Sequence, residues 1–197
     1  MALSPLLGRF KDATAELHRE AERYVRILDR GATLAAYRRY LLAMHGFHAP
    51  LEACLARNRE LDASGFATAT RRKTPWLEHD LRALAVHEIA ACDRLPDIAT
   101  LPRAIGAGYV TEGSTLGGRF ILAKLPPAIA GVKGTATRFL EGYGAATGAM
   151  WRAFAVVAET IAPDDHAEAI AAACETFERL IAWLATFEDR APLAEAS

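Results

Sequence analysis

The side chains best suited to chemistry lie near the N-terminus, where Lys11, Thr14, His18 and Glu22 recur at intervals of three and four residues. Residues at such intervals share one face of an α-helix. A neutral imidazole can ligate a metal when a partner orients its second ring nitrogen, and Glu22 lies one turn beyond His18. Lys11 lies about 10 Å from His18 along the helix axis, so its cation could meet an anionic group of the same ligand.

This spacing indicates a ligand with a metal in its body and an anion at its edge. Haem fits that description, because its iron needs an axial ligand and its propionates need cations. The alternative is that His18 is a structural or surface residue, as is usual for a single histidine beside an apolar helix face. The spacing alone leaves both interpretations open.

A second stretch, residues 109–119, places Gly113, Gly117 and Gly118 inside a helical pattern. Each glycine in a helix interior costs about 1 kcal/mol relative to alanine, so something should offset the cost. Gly113 and Gly117 are one turn apart. Without side chains there, the helix backbone could approach a flat ligand or another helix, and the helix could kink. From this stretch alone, a ligand cleft and a small-residue packing seam between helices explain the glycines equally well.

Apolar residues recur at helical spacing in six segments, and no segment shows the alternation of a strand. The predicted N-caps are Ser4, Thr33, Thr74 and Asp164, and Pro96 and Pro102 are predicted to interrupt helical structure. The basic run 71–73 is predicted to be loop or solvated surface. The predicted helices cover residues 4–29, 33–58 (or as far as 61), 74–87, 101–125, 135–161 and 164–184. The pattern predicts an all-α single domain over residues 1–190, followed by a flexible tail over residues 191–197.

Composition narrows the classes of partner. With 197 residues, 52% of them hydrophobic, the chain can bury one sizeable core. A net charge of −1 gives no electrostatic case for nucleic acid or an anionic membrane. We find no apolar run of membrane-spanning length and no signal peptide. The cysteines, Cys54, Cys92 and Cys174, are widely spaced, which predicts reduced thiols in a cytoplasmic protein. No spare apolar stripe is evident, which favours a monomer.

Taken together, the two stretches resemble the walls of the haem pocket in haem oxygenases. Residues 11–18 (KDATAELH) with Glu22 are similar to the proximal segment of that family, and residues 113–118 (GSTLGG) to its distal segment. Residues 139–144 (FLEGYG) and 151–154 also look like bacterial members. The resemblance extends over about residues 4–184. It implies a helical bundle with haem between a proximal first helix and a kinked, glycine-rich distal helix.

The resemblance also implies a reaction. Haem b would be both substrate and oxygen-activating cofactor, with His18 as the iron ligand. O2 and electrons from a separate reductase or ferredoxin would open the ring to biliverdin, by default the α isomer, with release of CO and ferrous iron. Gly113 and Gly117 would belong to the catalytic distal wall. The residues expected to bind the cofactor are Lys11, Thr14, Glu22, Tyr109, Gly118, Arg152 and Phe177, of which Lys11, Tyr109 and Arg152 are the candidates for the propionates.

Ser114 departs from the best-known members, which carry an aspartate after the first distal glycine to organise the water that delivers protons. Members associated with bacteriophytochromes are similar to this chain there, which makes a bacteriophytochrome a candidate recipient of the biliverdin. Our hypothesis is that water held by Ser114, the distal backbone and His48 substitutes for the aspartate. His48 stands where relatives carry a distal-side tyrosine, and the alternative is a partly exposed helix histidine without a role.

Two other functions deserve comparison. A haem carrier or sensor on the same fold would bind haem without opening it, and Ser114 keeps that alternative open. A ferritin-like di-iron bundle requires Glu-x-x-His motifs, and the sequence contains none.

Overall fold

The computed structural model describes residues 5–87 and 90–187. Its regular structure is helical, and within the described residues there is no strand. The α-helices are α1 (Pro5–Arg23), α2 (Leu34–Leu55), α3 (Arg59–Leu61), α4 (Thr74–Ala83), α5 (Leu101–Lys124), α6 (Pro127–Ala130), α7 (Arg138–Glu141), α8 (Thr147–Ala158) and α9 (His166–Ala185). In the described part of the chain, the six with ten or more residues occupy the six predicted segments, which confirms the all-α prediction.

Two helices begin directly after a threonine whose side chain caps them. The Thr33 hydroxyl accepts a hydrogen bond from the Ala36 amide at 3.1 Å, as predicted for α2. The Thr100 hydroxyl accepts one from the Arg103 amide at 3.4 Å and begins α5. Pro102 therefore lies in the first turn of α5, and its prediction as a breaker is wrong, because a proline in the first turn removes an amide that has no helical acceptor.

Several other boundaries differ from prediction. Helix α1 ends at Arg23 and is followed by a short 3₁₀ turn, Arg26–Leu28, so the helix is shorter than expected. The predicted cap Ser4 lies outside the described residues. The Asp164 prediction is also wrong, because a 3₁₀ turn, Pro163–Asp165, precedes α9 and that helix begins at His166.

The predicted helix over residues 135–161 is interrupted by two glycines. Gly142 and Gly144 adopt φ angles of 57° and 58°, in the left-handed region that favours glycine. Helix α7 ends before them, a 3₁₀ turn (Gly144–Ala146) follows, and α8 then begins. The interruption lets the chain change direction between α7 and α8, so both helices can pack against α5.

A proline inside α2 connects that helix to the segment between α4 and α5. Pro50 has no amide hydrogen, so the Gly46 carbonyl one turn earlier loses its helical partner. The Cys92 amide donates to that carbonyl at 2.8 Å. A Cβ at Gly46 would lie 2.4 Å from the Ala90 carbonyl oxygen, so only glycine allows this close approach.

Helix α9 packs against both α1 and α5 and organises the bundle. Helices α1 and α9 run in the same direction, because Arg9 contacts His166 at their starts and His18 contacts Phe177 further along. Helix α5 crosses α9 at Gly106, where a Cβ would lie 2.2 Å from the Ala169 carbonyl oxygen. The core is filled mainly by aromatic and branched side chains, including Phe10, Tyr37, Phe47, Phe66, Phe154 and Leu51.

In the basic run 71–73 only Arg72 is exposed as predicted, and the prediction of solvated surface is wrong for Arg71 and Lys73. Arg71 is 5% exposed and Lys73 is 1% exposed. Two buried acids, Glu52 and Glu112, neutralise this part of the core. Thr74 does not cap α4, because its hydroxyl donates to Glu52 at 2.6 Å.

Within the described residues no helix is both long enough and apolar enough to cross a bilayer. Cys54, Cys92 and Cys174 are free thiols, as predicted.

Candidate active site

His18 lies on α1 with its side chain 58% exposed. Its Nδ1 atom is 3.4 Å from the Glu22 carboxylate, one helical turn further on. The Phe177 ring from α9 meets the imidazole edge-on, with 5.7 Å between ring centroids. The imidazole is therefore accessible, supported by a core aromatic and oriented through Nδ1, which leaves Nε2 as the nitrogen that can ligate a metal.

Helices α1 and α5 meet on the N-terminal side of His18. The Phe10 ring of α1 stacks on the Tyr109 ring of α5, with centroids 4.7 Å apart. Thr14 is 2% exposed, and its hydroxyl donates to the Phe10 carbonyl at 2.8 Å. Burial raises the pKa of the Tyr109 phenol, while a hydrogen bond with Thr14 acts in the opposite direction. Thr14 thus closes the junction between the two helices.

Beyond this junction the two helices have different neighbours, and we call the surface between His18 and the α5 glycines the cleft. Helix α1 follows α9 as far as His18, whereas α5 leaves α9 and packs against α7. Gly113 and Gly117 lie one and two turns beyond Tyr109, and a Cβ on either glycine would have no other atom within 4 Å. These two glycines therefore face open space. A packing seam between helices does not explain them.

Gly118 belongs to a different face of α5. A Cβ there would lie 3.0 Å from the Leu140 carbonyl oxygen of α7. The structure thus places Gly118 in a helix contact, not on the open face with Gly113 and Gly117, so its prediction as a cofactor-binding residue is not supported. The packing explanation that the sequence left open holds for Gly118 alone among these three glycines.

Two apolar side chains missed by sequence analysis flank the open face. Leu116 is 42% exposed and Phe120 is 56% exposed. They follow Gly113 by three and seven residues, so they share its side of α5. The Lys124 ammonium lies 4.1 Å from the Phe120 ring centroid at the end of this face. A backbone floor between exposed apolar side chains suits one face of a planar organic ring.

Two of the candidate anion-binding residues, Lys11 and Arg152, each follow a residue whose ring contacts Tyr109. Lys11 follows Phe10 on α1, next to the stack with Tyr109, and it is exposed. The Trp151 ring of α8 lies 6.0 Å from the Tyr109 ring, and the next residue, Arg152, is also exposed. The assignment of Lys11, Tyr109 and Arg152 to the propionates stays a prediction.

Ser114 and His48 are held by other groups. The Ser114 hydroxyl donates to the Thr111 carbonyl of its own helix at 2.7 Å. His48 is 2% exposed, so the alternative of a partly exposed histidine is wrong. Burial lowers the pKa of His48 to about 3, and the charge of Lys73 acts in the same direction, so the imidazole is neutral. Within the described residues, no direct contact joins His48 to Ser114.

The His48 ring is packed edge-on against Phe139 with centroids 5.6 Å apart. Its Nδ1 atom is buried without a hydrogen-bond partner and lies 3.9 Å from the Glu52 carboxylate. A buried nitrogen near a carboxylate is a suitable place for an ordered water molecule. Nδ1 is therefore the atom of His48 to which a water would hydrogen-bond.

The largest feature missed by sequence analysis is a charge network on the buried side of α5. Glu112 is 1% exposed and forms ion pairs with Arg71 and Lys73, while the Tyr143 hydroxyl donates to it at 3.0 Å. These partners are 31 to 41 residues away in the chain. No periodicity connects residues so far apart, so the available signal was that Glu112 is the one charged residue within residues 104–118.

The residues of the cleft fit haem. His18 offers an accessible imidazole, the two open glycines offer a floor without side chains, and Lys11 and Arg152 offer cations for carboxylates. Phe177, which is 6% exposed, connects the imidazole to the core. Each of these features is supplied by residues of this chain.

Comparisons with known proteins agree. A family model described as heme oxygenase matches residues 4–186. The solved structure of the NO- and CO-bound haem oxygenase from Neisseria meningitidis is similar in fold, with a TM-score of 0.78, 24% sequence identity, and coverage of 97% of this chain and 98% of that chain. A search of curated proteins found no significant match. The chain therefore belongs to the haem oxygenase family, whose enzymes degrade haem to biliverdin.

Proposed function

We propose that this enzyme opens haem b to biliverdin with release of CO and ferrous iron, using O2 and electrons from a separate reductase or ferredoxin. The observation that carries the proposal is the pairing of an accessible His18 on α1 with the open face of Gly113 and Gly117 on α5. Bound haem supplies both the iron that activates oxygen and the ring that is opened.

On the proximal side, Glu22 orients His18. Its carboxylate faces Nδ1 at 3.4 Å, so Nδ1 carries the proton and Nε2 carries the lone pair that ligates iron. Phe177 restricts rotation of the ring from the other side.

On the distal side, the absence of side chains at Gly113 and Gly117 would let the α5 backbone lie close to a bound ring and limit the space for O2 there. Leu116 and Phe120 add exposed apolar surface beside that space. With haem bound, these side chains would help to exclude water from the ring.

The residues near Tyr109 would anchor the carboxylates of haem. Lys11 and Arg152 would pair with the propionates, and the Tyr109 hydroxyl would donate to them. This anchoring would determine which part of the ring faces Gly113 and Gly117. The resemblance to the family supports the α position.

Protons reach the cleft through ordered water. The Ser114 hydroxyl donates to the Thr111 carbonyl, so its oxygen can accept a hydrogen bond from water. His48 is neutral and buried, so its Nδ1 can exchange a hydrogen bond with a water between it and Glu52.

The setting follows from the same resemblance. The similarity of residues 113–118 to bacteriophytochrome-associated members supports a bacteriophytochrome as the recipient of biliverdin. The free thiols support a cytoplasmic location, and the lack of a spare apolar stripe in the sequence supports a monomer.

A haem titration followed by reduction in air tests the proposal, with catalase present so that free peroxide does not open the ring. Wild-type protein should show a Soret band that gives way to biliverdin, and chromatography should identify the isomer. His18→Ala should not form biliverdin. His87→Ala is the matched control, because His87 is an exposed histidine outside the cleft, and it should behave as wild type. Stable haem without ring opening would indicate a carrier or sensor, and absence of haem binding would refute the site.

A further inference from the structure

The charge network at Glu112 takes no part in the chemistry proposed above, but Glu112 directly precedes Gly113 in the sequence. Successive residues of a helix point about 100° apart, so Glu112 can be buried while Gly113 faces the cleft. Arg71 binds one oxygen of the Glu112 carboxylate, and Lys73 binds the other. The Tyr143 hydroxyl donates to both oxygens, at 3.0 Å and 3.2 Å.

The two cations are themselves fixed to the backbone of neighbouring segments. The Arg71 Nε atom donates to the Phe66 carbonyl at 2.6 Å, and its guanidinium lies 3.3 Å from the Met150 carbonyl of α8. The Lys73 ammonium donates to the Arg71 carbonyl at 2.6 Å. Glu112 is therefore held by two cations that are themselves hydrogen-bonded to backbone outside α5.

The network extends to α2 and is balanced in charge. Glu52 accepts hydrogen bonds from the Thr74 hydroxyl at 2.6 Å and from the Thr74 amide at 3.2 Å. Its carboxylate also accepts from the Lys73 amide. Two buried acids thus accompany two buried bases. Burial lowers the pKa of Lys73 and the charge of Glu112 raises it, so the ion pair depends on both partners.

The opposite side of α5 offers no comparable restraint. A Cβ at Gly113 or Gly117 would meet nothing within 4 Å, so no packing on that side fixes how the helix is rotated about its axis. Leu116 lies only about 60° around the axis from Gly113. A modest rotation would move the Leu116 side chain toward the ligand and the glycine floor away from it.

We propose that Arg71 and Lys73 are positioning residues, which fix the rotation of α5 through Glu112 and thereby hold Gly113 and Gly117 toward the haem. The proposal rests on the proposed function, since that function places haem against the glycines. The network acts through α5 and does not touch the reacting atoms.

The test compares Glu112→Gln and Lys73→Met with Glu175→Gln as a matched control. Glu175 of α9 also binds a cation of α5, because the Arg103 guanidinium contacts it at 2.5 Å, but this pair lies near the start of α5 and away from the glycines. Tyr143→Phe is a milder variant, because it removes a neutral donor and leaves the charges balanced. All proteins are loaded with haem and compared below their unfolding temperatures.

Three readouts separate positioning from stability. The C–O stretching frequency of the carbon monoxide complex reports on the distal wall, the iron–histidine stretch of the ferrous complex reports on His18, and chromatography reports the biliverdin isomers. Glu112→Gln and Lys73→Met should shift or broaden the C–O band and alter the isomer ratio, with an unchanged iron–histidine band. Tyr143→Phe should produce a smaller change of the same kind, and Glu175→Gln none.

The outcomes are distinguishable. If folded Glu112→Gln, Lys73→Met and Tyr143→Phe all keep the wild-type C–O band and isomer ratio, the network only stabilises the fold and the proposal is wrong. If wild-type protein binds haem without opening it, the proposed function fails, but the C–O band still decides the positioning role. If wild-type protein binds no haem, both proposals fail, and the failure is visible in the wild type before any variant is made.

Discussion

The two sides of the cleft are built in opposite ways. On the proximal side, the His18 and Glu22 side chains are 58% and 64% exposed, lie one turn apart and contact each other directly. Behind the distal side, Glu112 is 1% exposed and its partners lie 31 to 41 residues away. The residue that meets the ligand is thus held by a local contact. The wall opposite it is held by a long-range network.

Because of this difference, the residue that meets the ligand contributes little to stability, whereas the network behind the opposite wall contributes much. An exposed i, i+4 contact contributes roughly 0.3–0.5 kcal/mol, so α1 can carry a reactive imidazole without depending on it for folding. A buried charge that loses its partner is far more costly, because it remains desolvated and uncompensated. Substitutions on the two sides should therefore have contrasting effects on unfolding and on turnover.

The largest effect expected is the loss of stability in Glu112→Ala, which leaves Arg71 and Lys73 buried without their carboxylate. The free energy of unfolding should fall by about 3–5 kcal/mol. Urea unfolding of the haem-free protein measures it. Glu22→Ala is the exposed control and should change stability by less than about 0.5 kcal/mol. Equal stability of the two variants would remove the contrast between the two sides.

His18→Ala should show the reverse pattern. Biliverdin formation should fall by more than the roughly 10–100-fold typical of residues that only orient a metal ligand. The free energy of unfolding of the haem-free protein should stay within about 0.5 kcal/mol of wild type, because the side chain is mostly exposed. Initial rates and urea unfolding on the same preparation provide both values. A large loss of stability would show that His18 has a structural role.

The pH dependence of stability should come partly from His48. Its pKa is about 3 in the folded protein and near 6.5 when exposed, so below pH 6.5 the unfolded chain binds a proton that the folded protein excludes. This contribution to stability is complete above pH 6.5 and is lost as the pH falls toward 3. Between pH 7 and pH 5 the loss should be about 2 kcal/mol.

His48→Phe should remove that part of the slope, as urea unfolding at several pH values will show. His87→Phe, at an exposed position, should leave the slope intact. An unchanged slope in His48→Phe would mean that folding does not lower the pKa of His48.

The open glycines should lower the stability of the haem-free protein and be of benefit only for haem binding. Gly113→Ala and Gly117→Ala should each stabilise the haem-free protein by about 1 kcal/mol, because helix propensity improves and no atom is displaced. Both should weaken haem binding. Gly106→Ala is the control and should destabilise, since its Cβ would lie 2.2 Å from the Ala169 carbonyl oxygen. Thermal melts and haem titrations test both halves of this prediction, and tighter haem binding by the two alanine variants would contradict it.

Ser114→Ala should have the smallest effect. The hydroxyl donates to the Thr111 carbonyl within its own helix, so its loss should lower turnover by less than about fivefold, or roughly 1 kcal/mol. Steady-state rates with an excess of reductant measure it. If Ser114→Ala and His48→Phe both turn haem over at the wild-type rate, the proposed water route is excluded.

The sequence by itself determined those contacts that depend only on the spacing of residues within one helix. His18 and Glu22 are neighbours, and Gly113 and Gly117 share a face, because side chains four residues apart meet on any α-helix. The six long helices, the start of α2 at its Thr33 cap and the contact between His18 and Glu22 were all within reach of that rule. The haem oxygenase resemblance rested on the same local motifs.

What only the tertiary structure decided is which face meets which neighbour. Gly117 and Gly118 are adjacent, yet one faces the cleft and the other packs on α7. The sequence predicted Arg71 and Lys73 to be surface charges, but in the structure both pair with Glu112, which comes from a distant segment. Helical spacing relates residues within one helix, whereas burial and charge pairing are properties of the space between helices, which a single segment of sequence does not encode.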